Sequence, residues 1–397
     1  MNVMQAQHII YLDNAATTKP YKGVINAVLN TIDDGYGNPS SLHKKGKAAS
    51  KLVQEARELI ADFIHAKPSE IIFTSGGSES DNLALRGIAP YLKSIGKTTI
   101  VTSVIEHPAV LNTCADLKKD GFKIIYMPVD KDGRVDIEEF DKVLKQKHDE
   151  IGLVYIMAVN NEIGSIQLID DIGELCHEYS IIFGTDAVQA LTHIPLDVQA
   201  SHIDLMAMSA HKIHGMKGIG ALYVRDGITL SPIITGGGQE NHLRAGTENV
   251  PGIVAFGEAI RFAKVLMNDD TRHYWNLREQ FFNVLNESDI KYHVNGDGGV
   301  PNIISLTLPG CESEAMLLLL NEQNVCVSAG SACAAGSLEP SHVLKALYLP
   351  DGYANCTIRI SMGGNTDEFE IVTAAQAIIK AVHQLLDMQP KVEDENG

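Results

Sequence analysis

Between Glu70 and Arg225 the chain alternates short apolar runs with amphipathic stretches, and this rhythm restricts the fold more than any other feature. The runs Ile71–Phe73, Thr99–Thr102, Lys123–Val129, Leu153–Val159, Ile181–Thr185 and Leu205–Ser209 have the length and β-branched content of strands. Between them, Ser80–Lys93, Ala109–Lys119, Asp136–Gln146 and Asp170–Tyr179 carry apolar residues at helical spacing. A strand–helix–strand alternation requires long crossovers, so the expected fold is α/β, a mainly parallel sheet sandwiched by helices. Ligands on such sheets gather at the loops beyond the strand C-termini. Past Pro251 the rhythm changes: a long helical stretch over Phe262–Asn286 precedes a strand at Ile303–Leu308, a helix at Glu314–Gln323 and a last helix near Asp367–Met388. These predict a smaller α+β domain. The expected division is a large domain over 14–260, with 1–13 and 261–397 forming the small one.

Composition narrows the function classes. In 397 residues there are 32 Lys and Arg against 50 Asp and Glu, a formal charge of −18. That balance gives no general reason to hold a polyphosphate backbone, so direct nucleic-acid binding is not expected. The six cysteines (Cys114, Cys176, Cys311, Cys326, Cys333, Cys356) are scattered with no zinc-type or redox-type pair, and the 15 histidines show no clustered ligand pattern, so no metal is expected. Met1–Ile10 has no signal-peptide apolar core, and the longest notable apolar run, Leu317–Leu320, is far short of the roughly 20 residues that span a bilayer. A cytoplasmic protein without membrane contact is expected.

Four strand ends carry candidate chemistry. After Leu205–Ser209 come Ala210, His211 and Lys212, then a glycine-rich turn into another strand. Lys212 is either a surface-turn lysine or an amine in a pocket, where desolvation would free it to join an aldehyde cofactor as a Schiff base. Phe73-Thr74-Ser75-Gly76-Gly77-Ser78-Glu79-Ser80 is a strand, a glycine turn and a helix start. It reads as a structural turn or as a phosphate nest at a helix N-terminus. Asp186 ends a buried strand, as a helix cap or as the carboxylate that keeps a pyridinium nitrogen protonated. His107, in Glu106-His107-Pro108, is a loop histidine or an aromatic cover over a flat ring that also moves protons.

The chain resembles the cysteine desulfurases, within the class V aminotransferase group of fold-type I pyridoxal-phosphate enzymes. The resemblance runs through Tyr11-Leu12-Asp13-Asn14-Ala15-Ala16-Thr17-Thr18, Gly37-Asn38-Pro39-Ser40-Ser41, the Ser75 glycine turn and Val159-Asn160-Asn161-Glu162-Ile163-Gly164. It continues over the Asp186 and Lys212 segments, Gly236-Gly237-Gly238-Gln239-Glu240, Arg244-Ala245-Gly246-Thr247 and Ser328-Ala329-Gly330-Ser331-Ala332-Cys333. It implies pyridoxal 5'-phosphate on Lys212, with Asp186 at the ring nitrogen, Gln189 at the ring oxygen and His107 stacked on the ring. Gly77, Ser78, Ser209 and His211 would hold the phosphate, Thr247 reaching in across a homodimer. Asn161 would lie beside ring and substrate, and Arg359 would pair with the substrate carboxylate. Catalysis would fall to Lys212, His107 and Cys333.

The implied activity removes sulfur from L-cysteine, giving L-alanine and a persulfide on Cys333 for protein acceptors in iron–sulfur assembly or tRNA and cofactor thiolation. The alternative on the same scaffold is a selenocysteine lyase or another class V enzyme. Residues 334–337 (Ala, Ala, Gly, Ser) beside Cys333 are small, as a loop delivering a nucleophile requires, and resemble the longer-loop subgroup. Three positions depart from the family pattern: Met216 stands where proline is usual, Ser78 where threonine is, and Asp81 where asparagine is common. Ser78 keeps the hydroxyl that an anion needs.

Overall fold

The computed structural model describes residues 8–330 and 340–389. The elements begin with β1 (Ile10–Tyr11), α1 (Lys22–Asp34), α2 (Lys44–Phe63), β2 (Ile71–Thr74), α3 (Gly77–Ser94), β3 (Thr99–Ser103), α4 (Pro108–Lys119) and β4 (Lys123–Met127). Next come α5 (Ile137–Lys147), β5 (Ile151–Tyr155), α6 (Ile169–Glu178), β6 (Ile182–Asp186), β7 (Leu205–Ser209) and β8 (Gly220–Val224). The chain continues through α7 (Val250–Asn286), β9 (His293–Asn295), β10 (Ile303–Thr307), α8 (Ser313–Glu322), β11 (Val325–Cys326), α9 (His342–Lys345), β12 (Thr357–Ser361) and α10 (Glu368–Asp387). It divides into two compact units. One comprises Thr17–Asn160 and Ser165–Asn268, the other Met1–Ala16, Asn161–Gly164 and Asp269–Gly397. The division therefore falls inside α7 and assigns the short stretch Asn161–Gly164 to the second unit.

The first unit is built on a seven-stranded sheet in the order β2-β8-β7-β6-β5-β3-β4. All pairings are parallel except those of β8, which runs antiparallel to both neighbours. The exception follows from chain length: residues 210–219 are too few for a crossover, so β8 folds straight back on β7. Strands β3, β5, β7 and β8 are buried throughout, which explains the near-continuous apolar sequences of β5, β7 and β8, whereas edge strand β4 exposes Lys123 and Tyr126. Helices α3 and α4 bury Leu83, Ile88, Leu92, Val110 and Leu117 with the sheet residues Ile72, Ile100, Leu153 and Leu222. Because β2 and β7 both oppose β8, strands β2, β3, β5, β6 and β7 all end at one edge of the sheet.

In the second unit, β12-β10-β9 form an antiparallel sheet and β1 pairs with β11 in parallel. Ile304, Leu306, Ile358 and Ile360 of this sheet pack against Leu277, Phe281 and Leu285 of α7 and Ile371, Ile378 and Val382 of α10. Helix α10 starts at a capping box, Asp367 accepting from Glu370 N–H while the Glu370 carboxylate reaches back to the Asp367 amide.

Candidate active site

The register of β8 brings two of the four strand ends side by side. Thr74 of β2 and Ser209 of β7 both pair with Gly220, one from each flank. Residue 220 must lack a side chain, because a Cβ there would stand 2.7 Å from the Gly76 Cα. The glycine turn is thereby pressed against the end of β7, and a Cβ on Gly76 (φ +157°) would point toward the Ser209 hydroxyl, 4.0 Å away. No side chain caps α3, since its N-cap is Gly76, so the first-turn N–H groups at Gly77 and Ser78 have no acceptor from the cap. The Ser209 Oγ is buried and has no hydrogen-bond partner among the described residues. An orphaned hydroxyl beside an uncapped helix N-terminus is costly unless an anion completes it, and a phosphate group has the right chemistry. His211 lies next to it, with Nδ1 3.2 Å from Thr17 Oγ1. Burial, helped by the charges of Lys212 and Lys217, pushes its pKa down to about 4, so at neutral pH it is an uncharged hydrogen-bonding group.

The end of β6 supplies the carboxylate. Asp186 is buried, and its Oδ1 accepts from Val188 N–H at 2.9 Å, so it shapes the turn it heads. Burial pushes its pKa up. The charge of His107, the Val188 bond and the charge of Lys212 pull it back, so these three residues share one electrostatic neighbourhood. A buried carboxyl of this kind is kept ionised by a cationic partner, the service a protonated ring nitrogen would perform. Gln189, three residues on, is also buried. Lys212 closes the single 3-10 turn Ala210–Lys212 and is half-buried. His107 is the N-cap of α4: its Nδ1 accepts from Ala109 N–H at 3.1 Å, with Pro108 opening the helix. That bond requires the Nδ1 lone pair, so the proton of a neutral ring sits on Nε2.

Behind Asp186 the first unit holds a carboxyl group that sequence reading passed over. Glu106 is fully buried; its carboxylate accepts from Ser103 Oγ at 2.6 Å and from Met157 N–H at 3.0 Å to each oxygen. Burial pushes its pKa up to about 8. Asp81, one of the three positions that depart from the family pattern, is likewise raised by burial and by the charge of Asp186, and accepts from the Tyr155 hydroxyl at 2.9 Å. The signal for Glu106 lay in the sequence: a charged residue directly ahead of His107 at a buried strand end. Thr247 is exposed, on the segment that follows a left-handed turn at Glu240, Asn241 and His242 (φ 48°, 55° and 65°). Arg57 anchors that turn with a bidentate pair to Glu240, at 2.9 and 2.7 Å.

The second unit carries the other expected residues. Arg359, on β12, is 1% exposed; Nη1 donates to the Asn161 carbonyl at 2.8 Å and Nη2 pairs with Asp13 Oδ1 at 2.8 Å. Its Nε is buried without an acceptor among the described residues. Asn161 thus meets Arg359 through its backbone, and Asp13, 346 residues away in sequence, is a partner that no local pattern reveals. Cys333 lies outside the described residues. Of the other cysteines, burial raises the thiol pKa of Cys114 to about 12 and of Cys311 to about 11, and raises Cys176 and Cys326 as well. Those four are poor sources of thiolate.

The class-V aminotransferase family profile (Aminotransferase class-V) matches residues 10–373. The chain is 42% identical over 391 residues to "Cysteine desulfurase IscS" of Methanosarcina thermophila, covering 98% of this chain and 96% of that protein. It is 44% identical over 380 residues to "Putative cysteine desulfurase IscS 1" of Bacillus subtilis, covering 95% and 99%. Among solved structures, a NifS-like protein superposes with a TM-score of 0.87 at 34% identity, over 96% of this chain and 100% of the other. "SspA in complex with cysteine" gives 0.78 at 38% identity, over 89% and 98%.

Proposed function

The chain belongs to the class-V aminotransferase family and is a cysteine desulfurase, and from that premise we propose what each residue of the site does. The family is pyridoxal-phosphate-dependent, and the cofactor is assigned here to the edge of the seven-stranded sheet where β2, β3, β6 and β7 end. When bound, the cofactor ring would take up the electron pair left at the substrate Cα, which makes the Cα proton acidic and loosens the sulfur on the neighbouring Cβ. Lys212 would hold the cofactor through Nζ and would move the proton at the substrate Cα. Asp186 would hold the proton of the ring nitrogen, Gln189 would hydrogen-bond the ring oxygen, and His107 would cover the ring and exchange protons through Nε2. Ser209 Oγ, the Gly77 and Ser78 N–H groups and neutral His211 hold the phosphate, with Thr247 supplied across a homodimer interface.

Arg359 binds the substrate carboxylate, for which a guanidinium offers a fitted pair of donors, and Asn161 lies beside it. The Cys333 thiolate attacks the substrate sulfur. The new S–S bond forms as the substrate's C–S bond breaks, its electron pair stays with the carbon skeleton, and protonation gives alanine. The Cys333 persulfide then passes to protein acceptors of iron–sulfur assembly or tRNA thiolation. A homodimer is supported by α1, whose Ile25, Leu29 and Ile32 form an exposed apolar stripe, and by the exposed Tyr36 and Leu42 that follow the helix in the chain. A cytoplasmic setting is supported by the described cysteines, all five of them free.

One observation carries the cofactor assignment: Asp186, His107 and Lys212, from three separate strand ends, share one electrostatic neighbourhood. In Lys212→Ala the visible absorbance of the covalently held cofactor should disappear, and borohydride reduction should no longer fix the cofactor to the chain. A spectrum and labelling unchanged from wild type would refute it.

A further inference from the structure

Glu162 is buried in the second unit, in the stretch Asn161–Gly164, and the reaction described above gives it no task. Its surroundings are specific. Ser341 Oγ donates to Glu162 Oε2 at 2.5 Å, while the same Oγ accepts from Val343 N–H at 3.1 Å and so caps α9. Gly330 stands on the other side, with a left-handed φ of +69°. A Cβ at Gly330 would be 3.0 Å from Glu162 Oε2 and 3.6 Å from Ser341 Cβ. Gly330 and Ser341 are the near flanks of the segment that contains Cys333; Ser341 bonds to one Glu162 oxygen, and Gly330 packs so closely beside the same oxygen that a side chain there would crowd it.

The flanks are tied to Arg359 as well. Ser328 and Arg359 exchange backbone hydrogen bonds at 3.1 and 2.6 Å, and Ser328 Oγ donates to the Gly330 carbonyl at 3.3 Å. The Arg359 side chain donates to the carbonyl of Asn161, the residue before Glu162. Hydrogen bonds thus run from the Arg359 backbone to Ser328, from Ser328 to Gly330, and from the Arg359 guanidinium to Asn161, while Gly330 packs beside the Glu162 carboxylate without a bond to it. The flank at Ser328–Gly330 is therefore bonded to the group assigned to the substrate carboxylate, and the flank at Ser341 is bonded to Glu162.

We propose that Glu162 is a positioning residue for sulfur transfer: through its bond to Ser341 and its packing against Gly330 it holds the two flanks of the segment that carries Cys333. The inference rests on Cys333 being the nucleophile. Displacing a reacting group by about 1 Å costs on the order of a hundredfold in rate, and a displaced flank transmits only part of that.

The test uses the holoenzyme. In Glu162→Ala and in Ser341→Ala, kcat for alanine release and the single-turnover rate of Cys333 persulfide formation should fall about tenfold or more. Cofactor absorbance and the spectral titration with L-cysteine should stay at wild-type values. The double variant should be no slower than the slower single one, since both remove the same tie, and Ser341→Thr, which keeps the hydroxyl, should restore the rate. Two results would overturn the proposal: wild-type kcat in either single variant, or a rate loss matched by loss of cofactor or of cysteine binding, the mark of a merely structural residue. Should Glu162→Ala not fold, Ser341→Ala and Ser341→Thr decide alone. Cys333→Ser separates the two layers. Alanine release in that variant would bring down the nucleophile assignment and this inference with it, whereas an inactive Cys333→Ser beside a fully active Glu162→Ala would bring down this inference only.

Discussion

Removing the Ser209 hydroxyl should have opposite effects on the protein with and without its cofactor. In the described structure Oγ is buried and unpartnered, so the protein without cofactor carries the desolvation cost of a hydroxyl, about 1–3 kcal/mol. Ser209→Ala relieves that cost and removes no carbon from the core. With pyridoxal phosphate bound, the same hydroxyl donates to a charged oxygen, a bond worth about 1.5–3 kcal/mol. Its loss should weaken cofactor affinity about ten- to 150-fold. The assay has two arms on one preparation: urea unfolding of protein stripped of cofactor, then titration with pyridoxal phosphate followed by visible absorbance. Ser209→Ala should unfold at a higher urea concentration than wild type in the first arm and need more cofactor in the second. A stripped variant less stable than wild type would refute the reasoning, as would an unchanged cofactor affinity.

Arg57→Ala should destabilise the first unit by about 3–5 kcal/mol in urea unfolding, because it strands the buried Glu240 carboxylate, and Arg57→Lys should not restore it for want of the second donor. Glu106 titrates near 8 when folded and near 4.3 when unfolded, so the folded state binds the extra proton between those values. Its contribution to stability is complete below about pH 4.3 and is lost as pH rises toward 8, at up to about 1.4 kcal/mol per unit. Glu106→Gln should therefore gain on wild type steadily across that window in unfolding measurements; a gap independent of pH would contradict this. His107→Asn keeps an N-cap for α4, so thermal unfolding of the stripped protein should stay near wild type while the cofactor's spectrum and alanine turnover change.

Much of the fold is readable because a sheet covered on both faces writes its strands as largely apolar runs, and β5 and β7 follow that rule closely. Lys212, Asp186 and His107 stand out for the same reason, as polar residues where such runs stop. What sequence does not carry is pairing. That β8 lies between β2 and β7, with Thr74 and Ser209 both opposite Gly220, depends on neighbours far away in the chain. The Arg359–Asp13 pair and the membership of Asn161–Gly164 in the second unit are of this kind too. Helix α1 is hard to read for another reason: its apolar residues are divided between a buried face, with Val24 and Val28, and an exposed one, with Ile25, Leu29 and Ile32. Strands β1 and β11 are two residues each, too short for any periodicity to register.

The central claim is that a cofactor-activated cysteine yields its sulfur to Cys333, and Cys333→Ala in a single turnover with L-cysteine tests it most directly. The variant should keep the cofactor's absorbance and its change on adding cysteine, while forming neither persulfide nor alanine. Alanine released at the wild-type rate would contradict the account.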